Sequence, residues 1–208
     1  QQIREVSVVR QNITAPAVES RINGKTGILT VSRFNDDTVS AARKAAREFI
    51  DRGVTKVIVD LRNNPGGTVD SAQGLLGLWL NDQVVLTERR GSETVKTLNS
   101  TGSPILENMQ TVVLINENSA SASEITAGAL RDYGKAKLVG KKSYGKGSVQ
   151  VVLDLASGSQ LKVTEARWYT PKGKNIDKEG IKPDVEVELT ADDVKNDKDP
   201  QLEKAESL

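Results

Sequence analysis

Apolar residues fall along this chain in two rhythms, one alternating or continuous as in strands, the other with the 3.6-residue period of a helix. Ile3 to Val9 alternate as a strand does, and a polar stretch from Arg10 to Pro16 follows. With no segment before it to pair with, that strand reads as the last element of a preceding domain or as a lone edge. Gly27-Ile28-Leu29-Thr30-Val31 is a short apolar strand. From Thr38 to Arg52 the apolar residues Val39, Ala42, Ala45, Ala46, Phe49 and Ile50 share one helical face, with Asp36 or Asp37 as cap and Gly53 as stop.

Val57 to Leu61 is a nearly continuous apolar run, the pattern of a strand buried on both faces. It ends in Arg62-Asn63-Asn64-Pro65-Gly66-Gly67, a loop of residues that tolerate unusual dihedrals, and a helical pattern follows from Val69 to Leu80. The same grammar repeats as strand Thr111–Ile115, loop Asn116–Asn118, helix Ser121–Tyr133 and strand Lys137–Val139. Such units build a parallel α/β sheet with right-handed crossovers, so their loops should leave one end of the sheet together. The Gly66-Gly67 loop and the Ser119–Ser123 segment are therefore expected to be neighbours. Gln150–Leu155 and Gln160–Tyr169 flank Ala156–Ser159 as a hairpin would. The pattern divides the chain into an N-terminal strand and linker over 1–25, a main body over 26–190 and a charged, solvated tail over 191–208.

Composition narrows the chemistry. Twenty-nine basic against 28 acidic residues leave a net charge of +1, which offers nothing to a nucleic acid or an anionic membrane. The chain contains no histidine and no cysteine, so a Ser-His-Asp triad, a Cys-His dyad and a His- or Cys-ligated metal site are excluded within it. Acid–base or nucleophilic chemistry must then use Ser, Thr, Lys, Asp, Glu or Tyr.

Ser119-Ala120-Ser121-Ala122-Ser123-Glu124 stands at a strand–loop–helix junction. Ser121-x-x-Glu124 fits a capping box, and a serine at a helix N-terminus is also well placed to become a nucleophile. Neighbouring serines can divide the two roles. Gly140 to Ser148 nearly spells a phosphate-binding P-loop but fails twice: Gly147 stands where the magnesium-binding hydroxyl belongs, and a strand rather than a helix follows. In an extended chain Lys146, Ser148 and Gln150 share a face, and a lysine between two glycines can sit in a close-packed, desolvated site where it serves as a neutral base. A solvated surface lysine is the competing reading.

Four segments in order resemble one family. Asp60 to Gly67, Ser119 to Glu124, Tyr144 to Gln150, and Arg167 to Gly173 with Gly180 to Asp184 are similar to the C-terminal processing peptidases, also called tail-specific proteases. The resemblance implies an α/β fold of the ClpP/crotonase-like type, a spiral of strand–strand–helix units with additional β-hairpins. It implies a serine endopeptidase with a Ser–Lys dyad that cleaves proteins near their C-termini. By the same resemblance Ser121 is the nucleophile, Lys146 the general base, and Gln150 orients the lysine. The amides of Gly67 and Ala122 form the oxyanion hole, and Asp132 is an auxiliary residue. No metal, nucleotide or other cofactor is implied. Expected partners are protein or peptide substrates with apolar C-terminal tails, and a homo-oligomer or regulatory adaptor; nucleic acid is not expected. The expected location is extracytoplasmic, in a bacterial periplasm or cell envelope, with leader and anchor absent from this chain. Relatives usually carry a PDZ domain before the catalytic core; by the resemblance Ile3–Val9 is either the last strand of such a domain or part of a lineage that lacks the module. Two other readings stand beside this one: a non-catalytic peptide-binding or scaffold domain on the same fold, and acyl-CoA chemistry.

Overall fold

The computed structural model describes residues 15–208 apart from Ser157. In chain order the elements are β1 (Val18–Asn23), β2 (Thr26–Val31), α1 (Thr38–Asp51), β3 (Lys56–Asp60), α2 (Val69–Leu76), β4 (Val84–Arg90), β5 (Glu93–Asn99), β6 (Gln110–Ile115), α3 (Ala122–Asp132), β7 (Ala136–Gly140), β8 (Ser148–Asp154), β9 (Gln160–Tyr169), β10 (Val185–Glu186), α4 (Ala191–Lys195) and α5 (Pro200–Ser207). They build two sheets, one in the order β1-β2-β3-β6-β7-β10 and one in the order β5-β4-β9-β8.

In the larger sheet β2, β3, β6, β7 and β10 run parallel, and β1 closes one edge antiparallel to β2. The continuous apolar runs are explained by burial on both faces. Leu29, Val57, Val59, Val113, Ile115 and Leu138 join the main core beneath α1, α2 and α3. Their alternate neighbours Ile28, Ile58, Val112, Leu114 and Val139 form a second core under α5. The ladder pairs Thr30 with Asp60, Asp60 with Leu114 and Ile115 with Gly140, so these four strands end level. The loops 32–37, 61–68, 116–121 and 141–147 consequently emerge together, as the repeated strand–loop–helix pattern predicted.

Local signals account for the helices. Gly53, at φ +65°, ends α1 as expected. Its start is different: Asp37 occupies the cap position without a side-chain bond, while Asn35 Oδ1 accepts the Asp37 amide and the Thr38 hydroxyl. The helix predicted over Val69–Leu80 stops at Leu76, and its last turns loosen into single turns that seat Trp79 in the core.

Two expectations are corrected. Residues 191–208 are not a solvated tail: they form α4 and α5. Gln201, Ala205 and Leu208 recur at helical spacing, and with Leu202 they face the second core, Ala205 being fully buried. Charge density along the segment hid that stripe. The body also begins before residue 26, because β1 pairs with β2 over its whole length. The Ile3–Val9 strand lies outside the described residues. Among the described residues no helix is long and apolar enough to cross a membrane.

Candidate active site

Ser121 is held in a conformation that a serine avoids. Its φ of 56° and ψ of −116° put a side chain in a region that costs about 1–3 kcal/mol and persists only where the surroundings enforce it. The enforcement comes from both neighbours. Ser119 is fully buried, donates to Leu61 O at 2.8 Å and accepts from the Asn116 amide at 2.9 Å. Ser123, equally buried, donates to Asn64 O at 2.9 Å, and the same carbonyl accepts the Ala120 amide at 3.0 Å. The outer serines thus pin the turn to the loop after β3, and the middle serine is left at its apex. This arrangement is a strained strand-to-helix turn, a geometry that can present a nucleophile.

Glu124 organises the site more widely than the capping box foretold. It is fully buried, and its Oε2 accepts the Ser121 amide and the Lys146 amide, each at 2.9 Å. Its Oε1 accepts the Ser143 hydroxyl at 2.6 Å and the Gly145 amide at 2.7 Å. The reciprocal contact from the Glu124 amide to the Ser121 hydroxyl is looser and does not reach hydrogen-bond geometry. One carboxylate therefore suspends the Ser121 turn and the Lys146 loop from a common point. Ser143 extends the link by accepting the Ile181 amide at 2.7 Å, which ties in the Gly180–Asp184 segment.

The glycine loop approaches through Gly66. A Cβ there would lie 2.7 Å from both Ala120 O and Ser121 Cβ and 3.0 Å from Ala122 N, at a φ of +101° that favours glycine. The Gly66 amide is already committed to Asn64 Oδ1 at 2.8 Å. Gly67 forms a parallel bridge to Phe34, in which Phe34 bonds Gly66 O and the Thr68 amide. By the geometry of that bridge the Gly67 N–H points away from Phe34. Ala122 opens α3, where the first amides have no intrahelical acceptor. Gly67 and Ala122 thus present amides at this junction that the bridge and the helix leave without a backbone partner.

The remaining expected residues sit differently. Lys146 lines a cleft of about 370 Å³ with Asn63, Pro65, Asn118, Ala120 and Tyr144, but its side chain is exposed. The expectation of a close-packed lysine is corrected in this form: the packing belongs to its flanking glycines. A Cβ at Gly145 would lie 3.0 Å from the Gly180 amide, and one at Gly147 would strike the Asp177 amide. Gln150 is exposed on β8 and donates, at 3.4 Å, to Thr164 Oγ1 across the hairpin rather than turning to Lys146. Asp132 is eleven residues beyond Ser121 at the far end of α3, roughly 16 Å away at the helical rise, where it accepts the Lys172 amide at 2.9 Å. The structure brings Ser121, Lys146, Gly67 and Ala122 to one place and leaves Asp132 outside it. The loop from Gly140 to Gly147 runs into a strand, which removes the phosphate-binding reading. No group of three or more carboxylates placed to hold a metal ion occurs among the described residues.

The loop base is fastened from the opposite side. Arg62 donates to Asp60 at 2.7 Å and to Asp199 at 2.8 Å, and also to Gln201 Oε1 at 3.1 Å. Burial works against its charge, but the hydrogen bonds to Asp60 and Asp199 outweigh it and hold the guanidinium protonated. Sequence reasoning missed both this network and the reach of Glu124, because in each the partners lie far apart along the chain.

Comparisons with known proteins identify the family. The model of "Peptidase family S41" matches residues 25–187. A "probable CtpA-like serine protease" of Staphylococcus aureus (strain COL) is 38% identical over 188 residues, 89% of this chain and 38% of the relative. The protein of the same name from Staphylococcus haemolyticus is 38% identical over 189 residues. The chain thus spans little more than a third of the length of these relatives. The solved photosystem II D1 C-terminal processing protease superposes with a TM-score of 0.79 at 30% identity, covering 86% of this chain and 50% of that one. Its fold is the mixed α/β fold of these peptidases, and the chain belongs to peptidase family S41.

Proposed function

We propose that this chain is the catalytic core of a serine endopeptidase that uses a Ser121–Lys146 dyad and cleaves protein substrates near their C-termini, outside the cytoplasm. The observation that carries the reading is the shared suspension of the Ser121 turn and the Lys146 loop from Glu124, beside the Gly67 and Ala122 amides. Ser121 attacks the scissile carbonyl, and Lys146 in its uncharged form takes the hydroxyl proton. The oxyanion is met by the Gly67 and Ala122 amides at the positive end of α3. The leaving amine departs with the proton returned by Lys146, and water then resolves the acyl-enzyme. Gln150 can orient Lys146 only after giving up its contact with Thr164.

A fluorophosphonate probe should label the wild-type protein at Ser121, and casein hydrolysis should follow the same dependence. Ser121→Ala should abolish both, while Ser123→Ala, which loses one structural hydrogen bond, and Ser119→Ala, which loses two, should retain labelling and lose about 1 kcal/mol of stability per bond. Lys146→Arg should be inactive, because guanidinium stays protonated. Labelling that persists in Ser121→Ala, or normal turnover in Lys146→Arg, would overturn the dyad.

A further inference from the structure

The β8–β9 hairpin has the pattern of a half-buried ribbon, yet among the described residues nothing covers its apolar face. Val149 packs against the main core, and its cross-strand partner Ala166 is buried. Farther out on that face the pairs Val151–Val163 and Leu153–Leu161 follow, and these side chains are 37–48% exposed. A bulge arranges this. Val149 pairs with Ala166 but Gln150 with Thr164, so Glu165 has no opposite residue. Without that extra residue, Thr164 and Lys162 rather than Val163 and Leu161 would line the face. The register therefore builds a continuous apolar stripe where a stripe left bare is a liability.

The edge is as unusual as the face. β8 is an end strand of its sheet, and among the described residues only β9 pairs with it. Exposed edges are normally blunted by proline, by lysine or by short length. Val149-Gln150-Val151-Val152-Leu153 contains neither proline nor charge, and β8 is seven residues long. Its first residue stands two positions after Lys146, so a chain laid along the edge arrives at the catalytic cleft.

From this geometry, and resting on the peptidase reading above, we infer that the free edge of β8 with its apolar stripe is a docking strip for extended, apolar stretches of unfolded polypeptide substrate. An unfolded chain brings unpaired amides and carbonyls to the edge and alternate side chains to the stripe, the mode of strand addition. Continuity with the cleft selects this occupant.

The test separates docking from catalysis by measuring binding in a Ser121→Ala background, with fluorescein-labelled β-casein followed by anisotropy. The unmodified strip should bind casein. Adding Val151→Lys and Leu153→Lys should weaken binding by about tenfold or more, the scale expected when buried aliphatic contacts are lost. Val194→Lys, at a more exposed apolar site elsewhere, should leave it unchanged. In the wild-type background the same pair of lysines should raise KM for casein while fluorophosphonate labelling of Ser121 stays normal. Casein binding equal in all variants, or absent from the parent, overturns the proposal. So does a change of oligomeric state by sedimentation in place of a change in casein binding. Absence of labelling throughout would instead sink the dyad and leave the binding result standing.

Discussion

Replacing Glu124 by glutamine changes one oxygen to an NH₂ group, and the environment of this side chain makes that change costly. All four of its contacts are to donors, from Ser121, Ser143, Gly145 and Lys146. A glutamine nitrogen can only donate, so whichever way the amide turns, at least one backbone N–H loses its acceptor. Stranding a buried donor costs about 1–3 kcal/mol, which at this size lowers Tm by roughly 2–4 °C per kcal/mol. We expect Glu124→Gln to melt earlier and, on the proposed dyad, to lose kcat with KM nearly unchanged, because the groups displaced are those that position Ser121 and Lys146 rather than those that would hold substrate. Thermal denaturation and steady-state kinetics on casein check this, and a variant with unaltered kcat would remove Glu124 from the positioning role. The sequence made the short-range half of this role legible, since S-x-x-E is a local pattern. The long-range half was not legible, because residues 143–146 join Glu124 only when β7 is laid beside β6.

At the scale of elements, the glycine-rich loop and the serine turn are packed so closely that their contact leaves no room for a methyl group. Gly66 is the residue at the contact, and Gly67 faces Phe34. Gly66→Ala should therefore push Ala120 and Ser121 apart and require a strained φ, with activity falling by roughly 10²- to 10³-fold if the oxyanion amides lose register. Fluorophosphonate labelling rates measure this, and a wild-type rate would mean that the loop yields without harm. The meeting of these two loops was readable from the repeated strand–loop–helix pattern, because level parallel strands deliver their loops to one end. Which of two adjacent glycines makes the contact was not readable, since composition is the same at both and only the bridge to Phe34 distinguishes them. The β4–β5 hairpin escaped notice for a related reason. Its second strand, Glu93 to Asn99, is largely exposed and polar, so burial wrote little pattern into it.

For the whole molecule, the second face of the large sheet depends on α5, and α5 is fastened by the ion pair between Arg62 and Asp199. Burial tends to raise the Asp199 carboxyl, but hydrogen bonds from Arg62 and from the Leu202 amide outweigh it and hold its pKa below the ordinary value. A carboxyl lowered in the folded state stabilises fully above its unfolded pKa of about 3.9 and loses that contribution as pH falls through the lowered value. Urea midpoints should therefore drop on acidification below about pH 4, and Asp199→Asn should be less stable at pH 7 but lose less in acid. Equal pH dependence in the two proteins would show that this pair does not fasten the helix. The stripe of Gln201, Ala205 and Leu208 was present in the sequence, but only three apolar or neutral contacts among many charges marked it, and the strands it covers lie far away in the chain. The same fastening sets an order in time. A chain leaving the ribosome can pair β2, β3 and β6 early, yet Arg62 has no Asp199 to hold it, and the outer faces of Ile58 and Leu114 have no cover, until residues 199–208 have been made. The loop that carries Asn64 to Gly67 thus lacks its fastening to α5 during synthesis, so a nascent chain sets this loop firmly only after residues 199–208 have been translated.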